Sequence, residues 1–174
     1  MSALALVKLE SQELEIPGAD PWYAHPSDPA LTVMTDFRER TSVTISESAT
    51  IDAALEHMKH TGVRCAFATD DVRRVVVGMI TAFDISSEKP LQHLTAVTGK
   101  REEILVRHIM QKTSEWRVVN VKEIERSTVE SVRKIFEESR LTHIAVMETV
   151  DSGAQRLRGL LSAAKVRRLL GILV

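Results

Sequence analysis

The chain repeats itself, and the repeat limits its fold more than any other feature of the sequence. Ile51 aligns with Val129 and Met58 with Phe136 at an offset of 78 residues, while Gly78 aligns with Gly159 and Thr81 with Ser162 at an offset of 81. The slip from 78 to 81 places a hairpin three residues longer in the second copy. Each copy is one supersecondary unit that cannot bury its apolar face alone. A chain of 174 residues leaves these units too short for two independent cores, so they should pack strand against strand into one pseudo-symmetric domain. Hydrophobic residues at 44% supply enough material for such a core.

Within the first copy, residues 43–51 read as a short strand entering a helix. Ile51, Ala54, Leu55 and Met58 recur at the i, i+3, i+4, i+7 spacing of one buried helical face, and Gly62 ends it. Strands at 63–69 and 75–80 flank a polar turn at Asp70-Asp71, and Ala82-Phe83-Asp84 starts a second helix. The second copy follows the same order. Residues 117–121 are strand-like, and Ser127-Thr-Val-Glu130 reads as a capping box with Ser127 as N-cap and Glu130 three residues on. Val129, Val132, Ile135 and Phe136 form the next apolar face. Strands at 141–147 and 157–161 enclose the turn Asp151-Ser152-Gly153, and 163–170 closes the copy as a helix. Each copy is therefore β-α-β-β-α, and the fold class is α/β.

Four of the five prolines fall between Pro17 and Pro29, where locked φ angles forbid regular helix or central strand. The expected organisation is an N-terminal arm at 1–30 with a short element at 3–16, a first motif at 31–87, a helical connector at 88–106, and a second motif with its tail at 107–174. Trp22 and Tyr23 are read as ordinary surface contacts of the arm. The apolar tail from Leu169 to Val174 is expected to pack on the arm or on a second subunit.

Composition removes several functions. Lys plus Arg number 23 against 24 for Asp plus Glu, a balance unlike the basic footprint of a nucleic-acid binder. The seven aromatics are too few for a base-stacking platform. A single cysteine, Cys65, cannot form an intrachain disulfide and suits a reducing compartment. No apolar run reaches the roughly 18 to 20 residues of a membrane span, and residues 1–7 are too short for a signal sequence before Lys8 interrupts them. These features predict a cytoplasmic protein with no membrane or nucleic-acid partner. His57 and His60 have no third ligand at a metal-binding interval, and Cys65 has no partner that marks a nucleophile. No phosphate-cradling, dinucleotide or zinc-protease motif occurs, so no enzyme is expected.

The stretches Thr61-Gly-Val-Arg-Cys-Ala-Phe-Ala-Thr-Asp70 and Gly78-Met-Ile-Thr-Ala-Phe-Asp84, in a repeated β-α-β-β-α frame, resemble tandem cystathionine-β-synthase (CBS) motifs, the Bateman module. The resemblance covers about residues 31–171. The first motif is similar to that of the γ regulatory subunit of AMP-activated protein kinase. Ile109-Met110 and Val33-Met34 look like the segments that open each motif.

This resemblance implies a ligand containing adenosine (AMP, ADP or ATP, with S-adenosylmethionine as another candidate) in a cleft between the motifs. Asp84 would hold the ribose hydroxyls, as a carboxylate accepting from both can, with Thr81 beside the phosphate. Gly78 and Met79 belong to the same turn. Arg64 would reach the phosphates, and the facing strand of the partner motif contributes Arg140, Thr142, His143 and Ala145. Read without the repeat, Thr81 and Asp84 are equally an N-cap and first-turn residue of a helix. In the second copy Lys165 stands where the family has its Asp. An ammonium has no acceptor for a diol, so this second cleft should be empty or hold an anion. The implied function is a stand-alone regulatory sensor, expected to be a homodimer read by an effector protein. The alternative is a scaffold with a decayed cleft.

Overall fold

The computed structural model describes residues 21–172. The element expected at 3–16 and the last two residues of the tail lie outside the described residues.

The first repeat contributes β2 (Thr44–Ser46), α1 (Ile51–Thr61), β3 (Cys65–Thr69), β4 (Val76–Thr81) and α2 (Ala82–Ser86). The second contributes β6 (Val118–Asn120), α6 (Val129–Ser139), β7 (His143–Thr149), β8 (Gln155–Ser162) and α7 (Ala163–Leu169). In each, the first two strands are parallel with a helical connection, one helix in the first repeat and two in the second, and the next pair is an antiparallel hairpin. Thr50 caps α1 by accepting from the Ala53 amide at 3.2 Å, and Gly62 ends it at φ +70°. The apolar stripe read from the sequence places Ile51, Ala54 and Met58 in the interior.

Two short strands cross between the halves. β1 (Thr35–Asp36), at the start of the first half, pairs antiparallel with β8 of the second. β5 (Gln111–Lys112), at the start of the second, pairs antiparallel with β4 of the first. Among the described residues two four-stranded sheets result, ordered β2-β3-β4-β5 and β1-β8-β7-β6. An ion pair between Arg158 on β8 and Asp36 fastens one crossing strand. The aligned glycines lie under these crossings. A Cβ on Gly78 would stand 2.9 Å from the Gln111 carbonyl oxygen, and one on Gly159 would stand 2.6 Å from that of Thr35.

Within this one domain, burial falls into two main clusters joined by a smaller third. One cluster is built on α6, β7, β8 and α7 together with Ala30, Val33 and Met34. Another is built on α1, β3 and β4 together with Ile104, Val106 and Ile109. A smaller set joins them, with Cys65, Phe67 and Met79 against Phe37, Leu157 and Leu160. The cores are separate yet dependent, because each borrows apolar residues from the sequence before the other repeat.

The capping box also differs. The N-cap of α6 is Thr128, whose hydroxyl accepts from the Ser131 amide at 3.4 Å. A further helix, α5 (Val121–Glu125), precedes it, and the Ser127 hydroxyl donates to its Glu123 carbonyl at 2.7 Å. Glu130 instead takes two hydrogen bonds from Arg133. The connector is helical over α3 (Lys89–Ala96), then forms a 3-10 turn at Arg101–Glu103 before α4 (Val106–Ile109). In the arm, the carbonyls of Pro26 and Asp28 accept from Glu130 and Val129, which satisfies amides that the first turn of α6 leaves open. The Ala24 amide donates to Leu169 at 2.7 Å, joining arm and tail, while Trp22 and Tyr23 are exposed.

Candidate functional site

The turn from β4 into α2 is closed by a reciprocal box. The Thr81 hydroxyl accepts from the Asp84 amide at 3.1 Å, and Asp84 Oδ2 accepts from the Thr81 amide at 2.9 Å and its hydroxyl at 2.6 Å. Asp84 Oδ1 takes Lys89 Nζ at 2.5 Å. Helix capping, the reading available without the repeat, is therefore what these two side chains do. Capping and ligand contact are compatible only through Oδ1, since Oδ2 already has two donors.

Between the repeats lies a cavity of about 350 Å³ lined by Arg64, Thr81, Thr142, His143, Ser86 and Arg167, with Ala82, Phe83, Ala163 and Ala164. Its lining pairs by the repeat: Arg64 with Thr142 at an offset of 78, and Ala82, Phe83 and Ser86 with Ala163, Ala164 and Arg167 at 81. The cavity thus straddles the pseudo-two-fold axis. Four of the sequence-derived residues meet there. The other five do not line it. Asp84 sits beside it as the partner of Thr81, near enough for its charge to act on His143. Gly78 and Met79 are interior, under the crossing strand and among the residues that join the sheets. Ala145 is buried in β7. Arg140 is the C-cap of α6 at φ +56°, the left-handed position that Gly62 fills in the first repeat. Ser86 and Arg167 were missed in the sequence: they are repeat counterparts of each other, and neither falls on a residue of the Thr81-to-Asp84 turn or its counterpart.

A second cavity of about 560 Å³ also uses Arg64 and His143, and adds Arg40, Lys165, Arg168, Ser162, Thr35 and Thr41 over an apolar wall that includes Phe37, Val43, Phe67 and Leu160. Lys165 Nζ donates to the Met34 carbonyl at 3.2 Å. A third, of about 310 Å³, lies at the start of β7 among Val118, Val119, Ile135, Leu141 and Ile144. Burial drives the His143 ring down to about 4 although the Asp84 charge opposes it, so the ring is neutral at pH 7. It offers phosphate a hydrogen bond rather than a charge, and Arg64 and Arg167 carry the charge of the axial cavity. Burial and the charge of Asp84 push the Cys65 thiol up to about 12, which removes it as a nucleophile at neutral pH. Among the described residues no cluster of three His, Cys, Asp or Glu could hold a metal ion, and no helix is long and apolar enough to cross a membrane.

Residues 35–90 match the sequence profile of the CBS domain. No curated protein matches the chain. Among solved structures it is similar to a CBS-domain containing protein from Agrobacterium tumefaciens, with a TM-score of 0.57 and 18% identity over 90% of this chain and 98% of that one. It is also similar to CBSX2 in complex with AMP, with a TM-score of 0.52 and 21% identity over 82% and 94%. CBSX2 is a CBS-pair protein from Arabidopsis thaliana. A further similarity is to the CBS domain of a bacterial CNNM/CorC family Mg2+ transporter, with a TM-score of 0.53 and 17% identity over 84% and 78%. At these identities the likeness is one of fold. Residues 35–90 match the CBS domain, and the chain as a whole is similar in fold to proteins that carry a CBS pair.

Proposed function

We propose that the chain is a regulatory module that binds an adenosine-containing ligand between its repeats, on the side of Asp84, and that AMP, ADP or ATP fits better than S-adenosylmethionine. The observation that carries this reading is the meeting of Arg64, Thr81, Thr142 and His143, from both repeats, on the axial cavity beside Asp84. Arg64 and Arg167 favour a phosphate-bearing ligand there. Asp84 Oδ1 is the acceptor for a ribose hydroxyl, and the apolar cavity at Val118, Leu141 and Ile144 suits a base. The AMP complex of CBSX2, a protein of the same fold, supports the same ligand class. Binding across two repeats would shift their relative packing, and an effector protein would read that shift. A homodimer is the assembly that goes with this reading.

The occupied oxygens of Asp84 favour a second reading, a scaffold whose cleft no longer binds. Thermal melts with AMP, ADP, ATP and S-adenosylmethionine separate the two. A ligand at 100 times its dissociation constant adds about 2.7 kcal/mol to stability. Stabilisation by a nucleotide that Asp84→Ala removes supports the sensor; no shift with any of them at 5 mM leaves the scaffold.

A further inference from the structure

We infer that the connector helix α3 is a latch on the ligand site, closed at neutral pH and opened by protons at a stacked pair of histidines, so that acid frees Asp84 for its ligand. The inference rests on the nucleotide reading and supplies its regulation. The helix is fastened at both ends. At its first residue, Lys89 holds Asp84 Oδ1, the carboxylate oxygen that a ribose hydroxyl would need. In its last turn, His93 stacks on His108 of α4, with ring centroids 4.5 Å apart and planes 18° from parallel. Between them Pro90 is buried and Leu94 is half-buried against the first repeat's core, while Leu91, Gln92, Thr95 and Ala96 are exposed. A helix held by so few apolar contacts belongs to the low-stability end of a fold.

The stack depends on neutral rings. His108 Nδ1 accepts from the Leu105 amide at 3.1 Å, so that nitrogen carries no proton while α4 is capped. A second proton on the ring must go there, which breaks the bond and sets one N–H against another. Burial opposes that proton, and so do the charges of His93 and Arg107. From α2 the charged group is Asp84, taken by Thr81 and Lys89. The turn before α4 brings Arg101, which pairs with Asp52, Glu102, and Glu103, which accepts from the Lys100 amide. β4, also packed on α4, carries no charged residue. Separated rings regain their ordinary proton affinity, so the open form gains weight as the pH falls through about 6.5. Once its last turn is free, α3 holds Lys89 less firmly on Asp84. Linkage makes the effect reciprocal: a ligand that displaces Lys89 loosens the stack.

Hydrogen exchange of the full chain at pH 7.5 and 6.0, corrected for the intrinsic pH dependence of amides, reads the latch. The amides of α6 serve as the reference for the whole domain. In the parent, α3 should exchange several-fold faster relative to α6 at pH 6.0 than at pH 7.5. His108→Asn removes the stack but keeps an acceptor for the Leu105 amide, so it should show the faster exchange at both pH values. Titration calorimetry with AMP reads the site. At pH 7.5 His108→Asn should bind AMP several-fold more tightly than the parent, and the two should converge at pH 6.0. Comparing them at one pH cancels the titration of the phosphate of AMP itself. No pH-dependent change in α3 relative to α6, or the same change in His108→Asn, overturns the inference. Equal AMP affinities at pH 7.5 overturn it too, and leave the nucleotide reading standing. AMP binding to neither protein at 5 mM overturns the nucleotide reading and this regulation with it.

Discussion

Lys89 holds the carboxylate of Asp84 from the side that Thr81 leaves open, with Nζ 2.5 Å from Oδ1. The lysine opens α3 and the aspartate lies in the first turn of α2, so one ion pair ties the motif to the connector. A ligand that takes Asp84 through its ribose competes with this lysine.

That competition gives opposite signs for two substitutions. Asp84→Ala should cost about 0.5 to 2 kcal/mol of stability through the lost cap, and should weaken AMP about ten- to a hundredfold. Lys89→Ala should tighten AMP several-fold while barely moving the melt, since its head is half exposed and such pairs contribute little. Titration calorimetry reads both. Weaker AMP binding to Lys89→Ala would assign the lysine to the ligand instead.

His143 should make the fold acid-sensitive. Its ring titrates near 4 when folded and near 6.5 when unfolded. Between those values the unfolded chain binds more protons, so stability falls as the pH drops from about 6.5 towards 4. Melting temperatures between pH 5 and 7.5 avoid most carboxylate titration. The decline should be clear in the parent and shallower in His143→Asn. Burial lowers His108 as well, which leaves some slope in the variant. Parallel profiles would show that His143 is not the group responsible.

Gly78→Ala and Gly159→Ala test the crossing strands. A methyl at Gly78 would meet Met110 Sδ at 2.5 Å as well as the Gln111 carbonyl, and one at Gly159 meets the Thr35 carbonyl at 2.6 Å. The sulfur can move; the backbone oxygens belong to β5 and β1 and cannot without breaking the pairing. Each variant should lose about 1 to 3 kcal/mol in urea denaturation. Parent-like midpoints would mean that the strands do not cross this closely.

Arg140→Gly should stabilise the chain by about 1 kcal/mol, because an L side chain in the left-handed region is strained and glycine is not. A higher urea midpoint with unchanged AMP affinity makes Arg140 a helix cap only. A drop in AMP affinity restores it to the ligand site.

Much of this architecture was legible in the sequence because it is written in short-range signals. Helical spacing at Ile51, Ala54 and Met58, the stop at Gly62 and the paired Gly-x-x-Ser/Thr turns each act within one or two turns of chain, so they determined two β-α-β-β-α units and the position of Thr81 and Asp84. The exchange of β1 and β5 between sheets was not legible. Each is two residues long and has no period to read, and its partner lies more than 30 residues away for β5 and more than 120 for β1. The sharing of Arg64 and His143 between two cavities, the ion pair that occupies Asp84 and the use of Arg140 as a cap were likewise decided by tertiary structure. Local sequence fixes which residues are apolar, capped or charged; which of those charges face one another depends on how the halves close, and that is set by packing across the whole chain.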